Sequence, residues 1–299
     1  VVHVEDRTLA FTPPLCPDNL FGHLVATAVP GVEEWHDGAY RRTLALPGGP
    51  GVVSLRPIAD QVDATLTLTD PADADEAARL ARRVLDLDAD PAAVDGTLRA
   101  DPVLTALVDE APGRRVPGSP DADEFAVRAV LGQQVSTAAA RTHAGRLVRG
   151  HGTPLPDGFA GPGSTLTHLF PSPAALTAVD PDELGMPRTR KRTLLGLVRA
   201  LADGEVVLDP ADVPASRAAL AGLPGIGPWT VDTVAMRALG DPDAFLPGDL
   251  GIRVAAERLG LPARDRDLVA RAEPWRPYRA YAVQYLWAAL DHAVNVMPG

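Results

Sequence analysis

The chain has 299 residues, 46% of them hydrophobic and 22% charged, with a formal net charge of −11. That length and apolar content imply about two folded domains. No apolar run is long enough for a membrane span, and the amino end lacks a secretory pattern, so a cytoplasmic protein is expected. Cys16 is the one cysteine, which excludes an internal disulfide, a cluster on four cysteines and a multi-cysteine zinc site. The chain opens on Val1 instead of methionine and reads as a processed product or a piece of something longer. Residues 1–112 hold 8 basic and 19 acidic side chains and residues 113–299 hold 20 of each, so the acidic excess lies wholly in the first part. Within the balanced part, Arg141, Arg146 and Arg149 share one helical segment, and Arg188, Arg190, Lys191 and Arg192 cluster in another. Either cluster, taken alone, reads as a solvated helix face.

In chain order, residues 1–11 open as a strand, and 17–29 have a helical pattern. The segments 40–47, 52–59 and 64–70 alternate as short strands, the first two joined by Pro47-Gly48-Gly49-Pro50-Gly51, a hairpin signal. A second helix is expected over 72–86, opened by Asp70-Pro71. Residues 1–112 therefore read as an α+β domain of strand, helix, three strands and helix. The Pro/Gly-rich stretch 111–123 marks a boundary, so the second region is 113–299. From Glu124 on, strand signals nearly vanish. Apolar residues recur at spacings of three and four over 124–150, and further helices are expected at 172–179, 187–203, 214–222, 229–239, 250–259, 265–273 and 278–293. The whole is mostly α with an amino-terminal α+β domain.

Between two of these helices stands Leu223-Pro224-Gly225-Ile226-Gly227-Pro228-Trp229-Thr230. Glycines supply the positive φ that a sharp turn needs, and Pro228 suits a first helical position. Glycines also leave backbone N–H groups bare at the start of the next helix, where an anion such as a phosphodiester can bind.

The stretch 221–240, with Leu223, Gly225, Ile226, Gly227, Trp229 and Thr230, resembles the helix–hairpin–helix of the DNA glycosylase superfamily. Asp249 lies twenty positions after Trp229 in 245–260, which resembles the superfamily's catalytic-aspartate segment. Residues 126–140 look like the helix whose end inserts into the duplex, and 274–287 like the closing helix of the alkylpurine branch, the DNA-3-methyladenine glycosylase II type. The resemblance implies a bundle of two helical subdomains with the site in a cleft between them, behind a small antiparallel-sheet domain similar to the TATA-binding-protein fold. It implies double-stranded DNA with damaged bases as partner, a monomer, no membrane, and no required cofactor. A sodium or potassium ion on the backbone carbonyls of Ala221, Leu223 and Ile226 also follows from it.

On the same resemblance, Asp249 is catalytic. Cleavage of an N-glycosidic bond builds positive charge on the sugar, which a carboxylate stabilises, and the same group can activate water. Aspartate also caps helices, and asparagine caps nearly as well, so Asp249→Asn is expected to spare the fold while removing the charge. Bifunctional relatives carry a lysine where this chain has Trp229, and Lys191 is the only lysine, which implies a monofunctional enzyme. Gln134 maps to the residue that fills the gap left by the flipped base. Trp229 and Trp287 map to pocket aromatics able to stack on a cationic base. Thr233, Leu250 and His23 occupy pocket positions with residues unlike those of the best-known member, which implies a roomier, less aromatic pocket. Trp275 reads as core. The function expected is excision of 3-methyladenine- and 7-methylguanine-type bases in base excision repair. The alternatives are a glycosylase of the same superfamily for oxidised or deaminated bases, and a non-catalytic damage-binding protein.

Overall fold

The computed structural model describes residues 2–299; Val1, at the head of the expected first strand, lies outside them. Strands β1 (His3–Ala10), β2 (Glu33–His36), β3 (Ala39–Leu46), β4 (Gly49–Ile58) and β5 (Gln61–Leu68) form one antiparallel sheet in the order β1-β5-β4-β3-β2. The Leu46↔Gly49 register closes the β3–β4 hairpin over Pro47-Gly48, as the turn residues anticipate. Helices α1 (Pro17–Ala26) and α2 (Ala74–Val84) cover one face of the sheet, and Leu20, Phe21, Leu80 and Val84 bury themselves against Leu44, Leu55 and Leu66. β2 escapes the sequence pattern because two of its four residues, Glu33 and Glu34, are buried carboxylates.

Two short helices are also added before the expected boundary, α3 (Pro91–Leu98) and α4 (Pro102–Glu110). Asp90 and Asp101 cap them by accepting from the amides two residues on. Their apolar residues belong with the carboxyl-terminal helices and not with the sheet: Val94, Leu98, Leu104 and Val108 share a core with Trp275, Tyr285 and Leu286. Trp275 donates its indole N–H to Asp101 (2.7 Å), and the Tyr285 hydroxyl donates to Asp95 (2.7 Å). By packing, the border between cores falls after Leu87, earlier than the linker at 111–123.

The apolar segment 124–150 is two helices, α5 (Ala122–Leu131) and α6 (Thr137–His151). They are parted by a loop in which Gln134 takes φ +55° and Ser136 caps α6. α7 (Pro173–Leu176), α8 (Arg188–Ala202) and α9 (Val213–Ala221) complete this side, and α10 (Pro228–Arg237) follows the hairpin. α11 (Leu250–Arg258), α12 (Asp265–Arg271) and α13 (Arg279–Ala288) form the other side. α10 stands between the two cores, with Val231 and Val234 packed into one and Ala235 and Met236 into the other. Among the described residues, no helix is long and apolar enough to cross a membrane.

A buried charge cluster ties the sheet to α5. Arg42 of β3 donates to Glu124 of α5 (2.8 Å), and Arg128 pairs with Glu124 (2.9 Å) and with Glu33 of β2 (3.0 Å). Tyr40 donates to Glu33 (2.5 Å), as does the amide of Val29 (2.8 Å). Burial alone would push Glu33 up, but Arg128, Arg42 and these hydrogen bonds hold it below the usual carboxylate range.

Candidate active site

A cleft of about 340 Å³ opens where α1, α5, α6, α10, α11 and α13 converge. Asp249 stands at it, half-buried, as the amino-terminal cap of α11. Its Oδ1 accepts from the Ile252 amide (3.0 Å) and from the Trp287 indole (2.9 Å), and its Oδ2 accepts from the Trp229 indole (3.0 Å). Capping and orientation toward the cleft are thus two uses of one carboxylate. The geometry corrects the asparagine expectation. Asparagine has one acceptor oxygen, so its NH₂ would face an indole N–H, and one donor would lose its partner at about 1–3 kcal/mol.

Trp229 and Trp287 both line the cleft, and so do Thr233 and His23. The His23 ring lies 6.0 Å from that of Trp287, at a 33° tilt. Leu250 does not join them. It is 75% exposed because Ile252, Ala255 and Ala256 form the buried face of α11, and Leu250 sits about 200° around the helix from Ile252. Trp275 is wholly buried in the core, as its reading required.

Sequence reasoning passed over Arg237, Arg128, Phe125 and Gln133. Arg237 continues the stripe Trp229, Thr233, Arg237 along α10 at intervals of four. A charge inside the otherwise apolar run 234–239 is the signal that could have found it. Its side chain donates from Nε to the Pro117 carbonyl (2.6 Å) and from Nη1 to His23 Nε2, and it lies 5.1 Å over the Phe125 ring. Burial pushes the guanidinium down to about 9, with Arg128 adding to the effect, so it stays charged at neutral pH. Burial and the same arginines hold His23 well below the ordinary imidazole range, which suits a neutral ring accepting at Nε2.

The hairpin joins α9 to α10. Gly225 has φ +85°, and a Cβ there would lie 1.9 Å from the Thr193 hydroxyl, so both backbone and packing require glycine. Gly227, contrary to expectation, is extended (φ −92°), and a Cβ on it would meet nothing within 4 Å. The amides of Gly225 and Gly227 donate to no acceptor among the described residues. Thr230 is buried with its hydroxyl accepting from Gln133 (2.9 Å), whose amide also reaches the Gly225 carbonyl (3.2 Å). Gln133 thereby fastens the loop after α5 to the hairpin. Gln134, next to it, is exposed and left-handed, a conformation costly for a non-glycine residue. With Arg190 and Gly225 it borders a shallow depression that makes the start of α8, the α5–α6 loop and the hairpin one continuous face. Leu223 offers its carbonyl to the Ile226 amide (3.1 Å), while the Ala221 and Ile226 carbonyls receive no hydrogen bond from described residues. Arg141 is turned inward, donating to the Ala28 carbonyl (2.7 Å).

Comparison with known proteins agrees with this architecture. A family model described as the AlkA N-terminal domain matches residues 6–121. The probable bifunctional transcriptional activator/DNA repair enzyme AlkA of Mycobacterium tuberculosis is 54% identical over 286 residues, 95% of this chain. This chain spans only 57% of that relative's length. DNA-3-methyladenine glycosylase 2 of Escherichia coli is 34% identical over 287 residues, covering 94% of this chain and 96% of that protein. Among solved structures, a 3-methyladenine DNA-glycosylase from Archaeoglobus fulgidus superposes with a TM-score of 0.78 over 94% of this chain and 97% of its own, at 20% identity, so it shares the fold.

Proposed function

The chain belongs to the DNA-3-methyladenine glycosylase 2 family, and from that premise we propose that it is a monofunctional DNA glycosylase which flips alkylated purines out of the duplex and hydrolyses their glycosidic bonds. The observation that carries this reading is Asp249, held at the cleft by two indole N–H groups and a helix amide. A carboxylate fixed by three donors has little freedom to reorient, so its negative field is set before the sugar becomes positive. The same oxygens can take a proton from attacking water. The indole faces of Trp229 and Trp287 would hold the extruded base by stacking.

Binding follows from the continuous face of hairpin, α5–α6 loop and α8. The bare amides of Gly225 and Gly227 at the start of α10 would take a phosphate. Exposed Gln134 would enter the stack. The free lone pairs of the Ala221 and Ile226 carbonyls fit a sodium or potassium ion beside that phosphate. Absence of strand nicking rests on amine chemistry: Lys191, the chain's one lysine, lies on α8 outside the cleft, so no lysine is placed to form a Schiff base.

The experiment is incubation with duplexes carrying single lesions, scoring base release and strand nicking before alkali. Wild type should release alkylated purines and leave the strand intact, and Asp249→Asn should slow release by about 10²–10³-fold. An asparagine variant as fast as wild type removes Asp249 from catalysis, and strand cleavage by wild type before alkali removes the monofunctional assignment.

A further inference from the structure

α10 crosses the cleft with Trp229, Thr233 and Arg237 on one face, four residues apart. Trp229 is bound to Asp249 at one end, and Arg237 rests against His23 and Phe125 at the other. Between them the Thr233 hydroxyl is buried, at 8% residue exposure, and has no hydrogen-bond partner. Arg237, 7% exposed, uses Nε and Nη1 on Pro117 and His23, while Nη2 meets no acceptor among the described residues. Among the described residues no carboxylate lies within ion-pair distance of it; Arg128 nearby has taken Glu33 and Glu124. A buried donor left unpaired costs free energy in the empty protein. The buried, unpaired Thr233 hydroxyl and the Arg237 Nη2, which meets no acceptor among the described residues, lie on one face of one pocket and mark where polar atoms of a ligand belong.

Their chemistry limits what that ligand can be. A guanidinium only donates, whereas the Thr233 hydroxyl can donate or accept, so Arg237 sets the polarity that this end of the pocket accepts. On the glycosylase reading, a flipped purine places its glycosidic nitrogen beside Asp249, so the opposite edge, with the C6 substituent, enters toward Thr233 and Arg237. A 6-oxo group accepts hydrogen bonds, whereas a 6-amino group would oppose donor to donor. We propose that Thr233 and Arg237 are specificity-determining residues that read the C6 oxygen of the extruded base, so that the enzyme favours 6-oxopurine lesions, such as 7-alkylguanine and deaminated adenine, over 6-aminopurine lesions such as 3-alkyladenine.

The proposal rests on the glycosylase reading, and one experiment separates the two. Methylated DNA contains 7-methylguanine and 3-methyladenine, both cationic, so their release in one reaction gives a ratio from which enzyme concentration and the effect of charge at Arg237 largely cancel. Wild type is compared with Thr233→Val, which keeps the shape of the side chain, and with Arg237→Met, each checked for fold by circular dichroism. A duplex with hypoxanthine supplies a neutral 6-oxopurine. Relative to wild type, the 7-methylguanine to 3-methyladenine ratio should fall on the order of tenfold in Arg237→Met and about threefold in Thr233→Val, and hypoxanthine release should fall with it. If Arg237→Met does not fold, Thr233→Val decides. A ratio unchanged in the folded variants overturns the proposal while leaving the enzyme a glycosylase. Wild type that releases neither base overturns both.

Discussion

The cluster behind the cleft and the wall of the cleft both bury arginine, on opposite terms. Arg42 and Arg128 face Glu33 and Glu124 in equal number, with Tyr40 and the Val29 amide filling remaining positions. Arg237 has a carbonyl, a neutral imidazole and an aromatic ring, and no carboxylate. The first arrangement uses its charges to fix the sheet against α5. The second keeps a charge free at the cost of stability, which is the usual mark of a residue retained for function.

Removing one arginine from each place should break the symmetry. Arg42→Met leaves the two buried carboxylates Glu33 and Glu124 with Arg128 as their one shared cation and should lose about 3–5 kcal/mol in denaturant unfolding. Arg237→Met removes a cation that burial already disfavours and should stay within about 1 kcal/mol of wild type. Equal losses in both would mean that Arg237 is structural.

Acid sharpens the same contrast. His23, in the cleft, is lowered from 6.5, so its folded form binds fewer protons than the unfolded chain, and the stability it contributes is lost as pH falls below 6.5. Glu33 is lowered from 4.5, so its contribution is intact at pH 5 and fades as pH falls through its folded value. Thermal unfolding between pH 7 and 5 should therefore show wild type losing ground against His23→Gln by at most about 1.4 kcal/mol per pH unit. Its margin over Glu33→Gln should stay constant over the same range.

The two hairpin glycines repeat the comparison on a smaller scale. Gly225→Ala meets both a positive φ and the Thr193 hydroxyl and should cost about 1–3 kcal/mol. Gly227→Ala has ordinary backbone and open space, so it should cost about 0.5–1 kcal/mol through the cap alone while weakening DNA binding for every sequence alike. Retained affinity for an abasic-site duplex in Gly227→Ala would move the phosphate elsewhere.

Legibility followed local chemistry. The hairpin, the long helices and the β3–β4 turn each announce themselves in a few consecutive residues, and Asp249 was found through its motif. β2 escapes because half of its four residues are acidic, and α3 and α4 because runs of eight and nine residues are too short to show a period. Leu250 went astray for a related reason: adjacency to Asp249 says nothing about the helical face a residue occupies. Arg237 lies eight residues from Trp229 and becomes a neighbour of the site only through α10, against a wall supplied by α1 and α5 from elsewhere in the chain. Contacts of that range leave no mark in a single sequence beyond an unexpected charge in an apolar run.

The bonding of both cleft tryptophans to one carboxylate also makes the site an optical instrument. Trp229 and Trp287 each donate to a different oxygen of Asp249, while Trp275 lies in the core and Trp35 on β2. A proton, a water or a sugar that draws on this carboxylate must change the surroundings of two fluorophores at once. Emission wavelength and near-ultraviolet dichroism can therefore follow the occupancy of the site in unlabelled protein, with Asp249→Asn as the reference in which that coupling is cut.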